Sequence, residues 1–402
     1  MKLVQINPDT IPIGEALPFS LRCSDGELMV NQGTVLESRA ALEFVRERRA
    51  VYVEETPELV RPVISRFSAF IFRQSMLSQY PSTAPESSQE MAMAQGPFGD
   101  PAKGPDWKAL TANANAVLRD ALQTPGGLDQ LVRLHREVAT NASLYPDATL
   151  VALFHYATTD SQQYSATHAM LVSAICMLAA RNVLGWDEER QNTAGLAALT
   201  MNLTMTDLQD ELAHQTERPT PEQRKIIERH AASAVAALQA LGVDNREWLD
   251  AVQHHHDVPA GSLKGRDMGL QIARLIQRAD VYAARVSPRA KRPGMAPPSA
   301  MQAAYFDEQR KVDEAGAAII KAVGIYPPGT FVRLVNNEVA MVVRRGATTT
   351  TPKVAVLINK TGIPAGEASL RDTAQRDFRI AASLPRREVN VNFDIRRLLA
   401  FC

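Results

Sequence analysis

The residues best suited to chemistry in this chain are imidazoles. Five of the eight histidines, His168, His230, His254, His255 and His256, stand out as candidates, and Asp280 follows on the next expected helix. Imidazole nitrogens and a carboxylate carried on separate helices can converge on a divalent ion in a bundle core. Plainer uses exist for the same residues. A lone His168 on an Ala-rich face suits a core histidine bonded to a carbonyl, and the run His254 to His256 suits a helix C-terminus. The cysteines Cys23, Cys176 and Cys402 lie far apart and form no CxxC pair. That usage argues against a thiolate zinc site or a disulfide framework and fits a reducing cytoplasm.

The elements that must position these groups are largely helical. Apolar residues at three- and four-residue spacing predict helices over 110–122, 128–139, 167–182 and 188–203. A start signal stands at Thr220-Pro221-Glu222-Gln223, where Thr220 can cap, Pro221 suits the first position and Gln223 completes a capping box. Two further helices are expected over 244–255 and 267–286. After Tyr326-Pro327-Pro328-Gly329 the pattern changes to strands over 330–335, 338–344 and 353–358, with a tight turn at Asn336-Asn337. The 402 residues suffice for two or three domains. The expected organisation is a small β-rich module over 1–56, with a helix over 38–49 and a closing strand at Val51-Tyr52-Val53. A helical connector over 57–80, a Pro-, Gly- and Ser-rich flexible linker over 81–105, an all-helical domain over 106–324 and a β extension with a tail over 325–402 follow.

Composition excludes several function classes. Lys plus Arg and Asp plus Glu balance at 44 each, so overall charge favours neither nucleic acid nor an anionic membrane. The N-terminus lacks the apolar stretch of a secretory signal, and the most apolar segment, 169–184, is interrupted by Arg181 and Asn182. Membrane insertion is not expected.

The order and spacing of these landmarks resemble the HD-GYP family across most of residues 150–360. The resemblance rests on His168 in Tyr164-Ser165-Ala166-Thr167-His168, on Leu184-Gly185-Trp186-Asp187, and on the capped helix from Thr220 to His230. It continues through His255-His256-Asp257, where the family has HHE, and through Asp280-Val281-Tyr282-Ala283-Ala284, followed by Arg289 and Arg292. Tyr326-Pro327-Pro328-Gly329 and the strands beyond it complete the match. The resemblance implies a mainly α fold: an HD-type helical bundle core with a small β-containing N-terminal module and a C-terminal β extension. It also implies a pair of divalent ions, with His168 and Asp280 at one and His230, His255 and His256 at the other, and cyclic di-GMP phosphodiesterase chemistry.

The family pattern is broken where that chemistry is done. The family's Leu-His-Asp-Ile-Gly-Lys aligns here with Thr200-Met201-Asn202-Leu203-Thr204-Met205. Met201 replaces His with a soft thioether, a poor ligand for hard or borderline ions. Asn202 replaces Asp with a neutral amide that cannot offset the repulsion of two cations. Met205 removes a cation that would meet the scissile phosphate. In the family's substrate loop, Ala260 replaces Asp, and Leu263-Lys264-Gly265 stands in place of Gly-Tyr-Pro. Lys264, Arg289 and Arg292 could meet phosphates, but a solvated basic loop is the favoured reading.

The expectation is therefore a cytoplasmic signalling protein that keeps the scaffold without the catalysis. No metal or cofactor is expected, apart from residual divalent-ion binding at the histidines. Its partners would be signalling proteins such as a diguanylate cyclase, a phosphodiesterase or a response regulator. The alternatives are a sensor that binds cyclic di-GMP without cleaving it and a phosphodiesterase with an unusual metal set.

Overall fold

The structure, a computed structural model, describes residues 3–6, 20–23, 27–31, 33–35, 51–54, 105–159, 162–290 and 292–402. The helix expected over 38–49, the connector over 57–80 and the linker as far as residue 104 lie outside them. The chain divides into two compact units, Met1–Gln74 and Ser75–Cys402. In the first, β1 (Leu3–Ile6), β2 (Leu21–Arg22), β3 (Leu28–Val30) and β4 (Val51–Glu54) form one sheet in the order β1-β4-β2-β3. The expected closing strand is β4, which pairs antiparallel with β1 and places Val4 opposite Val53.

The second unit begins with α1 (Trp107–Asp120), whose N-terminus is satisfied by the Asp106 side chain, and α2 (Gly127–Leu144). Next come α3 (Pro146–Thr159) and α4 (Tyr164–Asn182). Every side chain of α4 from Tyr164 to Ala180 is buried, so this helix is covered on every side and forms the centre of the bundle. Its neighbours are α5 (Glu188–Thr200), α6 (Thr206–His214), α9 (Met268–Val286) and α11 (Glu314–Val323), together with α1, α2 and α3. Around these lie α7 (Pro221–Ala240), α8 (Arg246–His254) and α10 (Pro297–Tyr305).

The helix expected over 188–203 stops earlier, at Thr200, and a separate 3₁₀ turn follows over Leu203–Met205. Asn202 leaves helical geometry, with φ −109° and ψ 16°. The short polar side chains here offer the backbone alternatives to the helix: Thr200 Oγ1 donates to the Leu196 carbonyl at 2.8 Å.

The C-terminal sheet is antiparallel in the order β8-β7-β6-β5-β9, built from β5 (Phe331–Leu334), β6 (Val339–Arg344), β7 (Lys353–Ile358), β8 (Leu370–Asp372) and β9 (Ile380–Leu384). Asn337, at φ +71°, makes the turn between β5 and β6, and its N–H donates to the Leu334 carbonyl at 3.0 Å. Val151 of α3 joins Phe331, Met341, Val343 and Leu357 in a shared core, which Leu398 of α12 (Ile395–Leu399) closes. Gly329 lets the chain approach α3. At φ +92°, a Cβ there would lie 2.7 Å from Phe154 Cβ and 2.9 Å from the Val151 carbonyl oxygen. The architecture is mainly α, a helical bundle with a small sheet at each end of the sequence. Among the described residues no helix is long and apolar enough to cross a membrane.

Candidate functional site

His168 lies one turn into α4, and the start of that helix is fixed from outside. Asp210 of α6 accepts from the Ser165 backbone N–H at 2.6 Å and from Ser165 Oγ at 3.0 Å. A carboxylate there also favours the positive end of the helix dipole. Arg119 of α1 binds the same Asp210. His168 is 1% exposed and stacks on Tyr164 with ring centroids 5.5 Å apart. Its Nε2 meets Asp280 Oδ1 of α9 at 2.7 Å. Burial, the largest influence, would raise the Asp280 carboxyl, but the His168 hydrogen bond together with the charges of His168, His255 and His256 outweighs it and brings the group down to about 2. These two groups, assigned by resemblance to one ion, are bonded to each other.

The second group lies at the meeting of α7 and α8. The capping box at the start of α7 is formed as the sequence predicts: Gln223 N–H donates to Thr220 Oγ1 at 3.2 Å, and Thr220 N–H to Gln223 Oε1 at 2.9 Å. His230 sits near the middle of that helix, buried. His255 caps the C-terminus of α8, which is held against the end of α5 by a hydrogen bond from Trp248 Nε1 to Thr200 Oγ1 at 2.9 Å. His256 follows in the exposed turn, and its carbonyl accepts from Gln277 of α9 at 2.8 Å. His230, His255 and His256 each offer a ring nitrogen, and these nitrogens all lie within 4.8 Å of one another. His254, the last residue of α8, is not part of this group.

The tautomers of His230 and His255 follow from their partners. His230 Nδ1 faces the Ile227 carbonyl, and His255 Nδ1 faces the Val252 carbonyl at 2.7 Å. A carbonyl oxygen only accepts, so each Nδ1 carries the hydrogen and each neutral ring keeps its lone pair on Nε2. Those two Nε2 atoms lie 3.1 Å apart. Burial lowers both rings, His255 to about 3, so neither readily carries a second proton. The arrangement offers converging, deprotonated nitrogens.

The positions that depart from the family pattern lie at the end of α5. Met201 is its C-cap and is 1% exposed, and Asn202 begins the 3₁₀ turn with a buried Oδ1 that has no hydrogen-bond partner. Met205 closes that turn. A pair of ions does not fit these residues. The carboxylate the resemblance offers, Asp280, is engaged by His168, and the position for which the resemblance implies a bridging carboxylate holds a neutral amide, Asn202. A single ion fits the three histidines.

The basic loop differs from the solvated patch the sequence suggests. Arg289 lies over the Tyr164 ring, 5.0 Å from its centroid, and donates to the Tyr164 hydroxyl at 2.8 Å. Arg292 donates to the Ala284 carbonyl. Both are half-buried and packed because guanidinium planes stack on aromatic rings and reach nearby carbonyls. Lys264 is exposed, in a loop held by Glu314: its Oε2 accepts from Ser262 Oγ at 2.9 Å and from Leu263 N–H at 2.8 Å. Leu263 is buried where the family pattern has Gly-Tyr-Pro.

Residues that sequence reasoning missed lie beside the three histidines. A cavity of about 230 Å³ is lined by Thr204, Lys225, Ile226, Arg229, His230 and Ser233. Lys225, Arg229 and Ser233 recur at four-residue spacing along one face of α7, a signal that was present in the sequence. A second feature, the buried Arg274 of α9, binds Asp313 at 2.5 Å and also donates to the Val258 carbonyl at 2.8 Å, tying the chain just after His256 to the start of α11.

The HD domain family model matches residues 153–316. A cyclic di-GMP phosphodiesterase of Pseudomonas aeruginosa, PA4108, is 25% identical over 362 residues, covering 86% of this chain and 83% of that protein. Among solved structures, Bd1817, described as a HDG"Y"P protein from Bdellovibrio bacteriovorus, matches with a TM-score of 0.43 at 13% identity, over 80% of this chain and 98% of that one.

Proposed function

We propose that the chain, whose residues 153–316 match the HD domain family model and which is 25% identical to a cyclic di-GMP phosphodiesterase, is an HD-GYP-type protein that acts in cyclic di-GMP signalling without hydrolysing the dinucleotide. The observation that carries this reading is the pairing of His168 with Asp280 at 2.7 Å, together with Asn202 at the position where the resemblance implies a bridging carboxylate. Hydrolysis by two ions needs an anionic bridge and a positioned hydroxide, and these residues supply no such bridge. Met205 also leaves that turn without a cation for the leaving phosphate. A scaffold that packs but does not react serves as a contact surface, with a diguanylate cyclase, an active phosphodiesterase or a response regulator as its partner.

One observation favours a second reading, a sensor that binds cyclic di-GMP uncleaved. The cavity beside His230 presents Lys225 and Arg229 together with the hydroxyls Thr204 and Ser233, groups that suit a phosphodiester. Incubating full-length protein with cyclic di-GMP and added Mn or Fe, then separating the nucleotides, tests the main reading. No linear product is expected, and turnover abolished by His230→Ala would overturn it. A titration with the same dinucleotide decides between the two modes: saturable micromolar binding weakened by Arg229→Ala favours the sensor, and its absence favours the contact surface.

A further inference from the structure

We propose that the open side of α7 docks an acidic segment of a partner protein, with carboxylates on Lys225 and Arg229 and one apolar side chain against Ile226. The inference rests on the contact-surface reading and adds the chemistry of the partner. On α7 only Gln223, His230, Ala234 and Leu238 are buried, and the helix packs on α8 and the 3₁₀ turn. Helical spacing places Lys225, Ile226, Arg229, Ala232, Ser233 and Ala236 on the opposite side, and all of them are exposed. Exposed arginines elsewhere pair with a carboxylate of their own segment: Arg190 with Asp187, Arg246 with Asp250 and Arg396 with Asp394. Among the described residues Lys225 and Arg229 form no such pair. Their charges are left to a group from outside.

The cavity between them says what that group is. No carboxylate lines it, so it is complementary to negative charge. Thr204 Oγ1 donates to the His230 carbonyl at 3.3 Å, which ties the 3₁₀ turn to α7 and fixes one wall, and the Ser233 hydroxyl adds a neutral donor. Ile226 is 46% exposed and lines the same cavity. A lone exposed isoleucine is ordinary, but one set between two cations offers an apolar contact at the centre of a polar rim. The volume of about 230 Å³ is smaller than the roughly 300–1,000 Å³ that encloses a drug-sized ligand. It suits side chains of a bound segment better than a whole dinucleotide. In such a contact the cations supply steering and specificity, and burial of the apolar anchor supplies affinity.

The test pans a phage-displayed random peptide library on full-length protein, with counter-selection on a variant carrying Lys225→Glu and Arg229→Glu. Selected peptides should be enriched in Asp and Glu around one aliphatic or aromatic residue. The tightest of them, followed by fluorescence anisotropy, should bind about tenfold more weakly to Arg229→Glu and to Ile226→Ser, and should weaken as salt rises. All three altered positions are exposed, so the variants should keep the thermal midpoint of the parent protein. Selected peptides without acidic enrichment, or equal binding to the variants, would overturn the proposal. No selected peptide, with cyclic di-GMP binding that Arg229→Ala abolishes, would give the cavity to the dinucleotide and overturn it too. Turnover of cyclic di-GMP alongside the expected peptides would sink the non-hydrolytic reading alone, and no selection without turnover would sink this inference alone.

Discussion

His168 and His230 are both buried histidines of the helical unit, and they differ in what their ring nitrogens meet. His168 Nε2 meets the carboxylate of Asp280. His230 Nε2 meets another imidazole nitrogen. In the first contact a donor faces an acceptor, although His168 Nδ1 is buried without a hydrogen-bond partner. The second is incomplete, because two acceptors face each other. Two clusters that the family resemblance treats alike therefore differ in their contacts: one pairs an imidazole with a carboxylate, and the other sets imidazoles against each other. Identity of residue type does not decide whether a site remains. The partner of each nitrogen does.

The sharpest way to break this comparison is to disturb the frame of one half only. Arg274 is fully buried against Asp313 and holds the Val258 carbonyl beyond His256. Arg274→Leu removes the closest cation from the buried Asp313 carboxylate, leaving Arg278 at 3.4 Å, and should cost about 3–5 kcal/mol in chemical denaturation. An unchanged midpoint would show that the loop after His256 is held by other contacts. Leu178→Ala lies in α4, which carries His168, and Leu178 is 3% exposed. It should cost about 2–5 kcal/mol through lost burial and a cavity, without altering the ion count at the three histidines.

The two halves can also be made alike again. Restoring Met201→His, Asn202→Asp and Met205→Lys together should raise the number of bound ions, measured by elemental analysis, from one towards two. No gain would mean that the His168–Asp280 contact holds against a new carboxylate. The restoration leaves the loop at Leu263-Lys264-Gly265 untouched, so cleavage of cyclic di-GMP is not expected to return with it.

The smallest effect concerns pH, at a histidine that belongs to neither cluster. Burial, reinforced by Arg386, lowers His155 to about 4, and the ring packs against Phe393 at 5.7 Å. The unfolded chain takes up this proton as pH falls through about 6.5, while the folded chain resists until about 4. His155 therefore contributes stability that is present above pH 6.5 and is lost progressively between 6.5 and 4. Thermal unfolding across that window should show a slope that His155→Phe reduces. An equal slope in both proteins would place the acid sensitivity elsewhere.

Much of the scaffold was legible because local chemistry and packing agree. Thr220 and Gln223 form the capping box that their spacing announces. The expected helix over 267–286 appears as Met268–Val286, one face of which is apolar. Helix α3 was not singled out because Ala148 to Phe154 are buried all round, which erases periodicity. The short strands β8 and β9 were missed because each owes its place to pairing with a neighbour rather than to its own pattern. At the site, the candidate histidines and Asp280 could be named from order and spacing. Which nitrogen meets which partner could not, since it depends on the fold bringing α4 to α9 and α7 to α8. Arg289 was read as solvated because the sequence does not reveal that Tyr164, 125 residues away, lies beneath its guanidinium.

The asymmetry between the two clusters is tested most directly by anomalous scattering at the zinc edge from crystals of the zinc-loaded, full-length protein. A single peak among His230, His255 and His256, with none beside Asp280, is the predicted result. A second peak between His168 and Asp280, or an empty map at the three histidines, would contradict it.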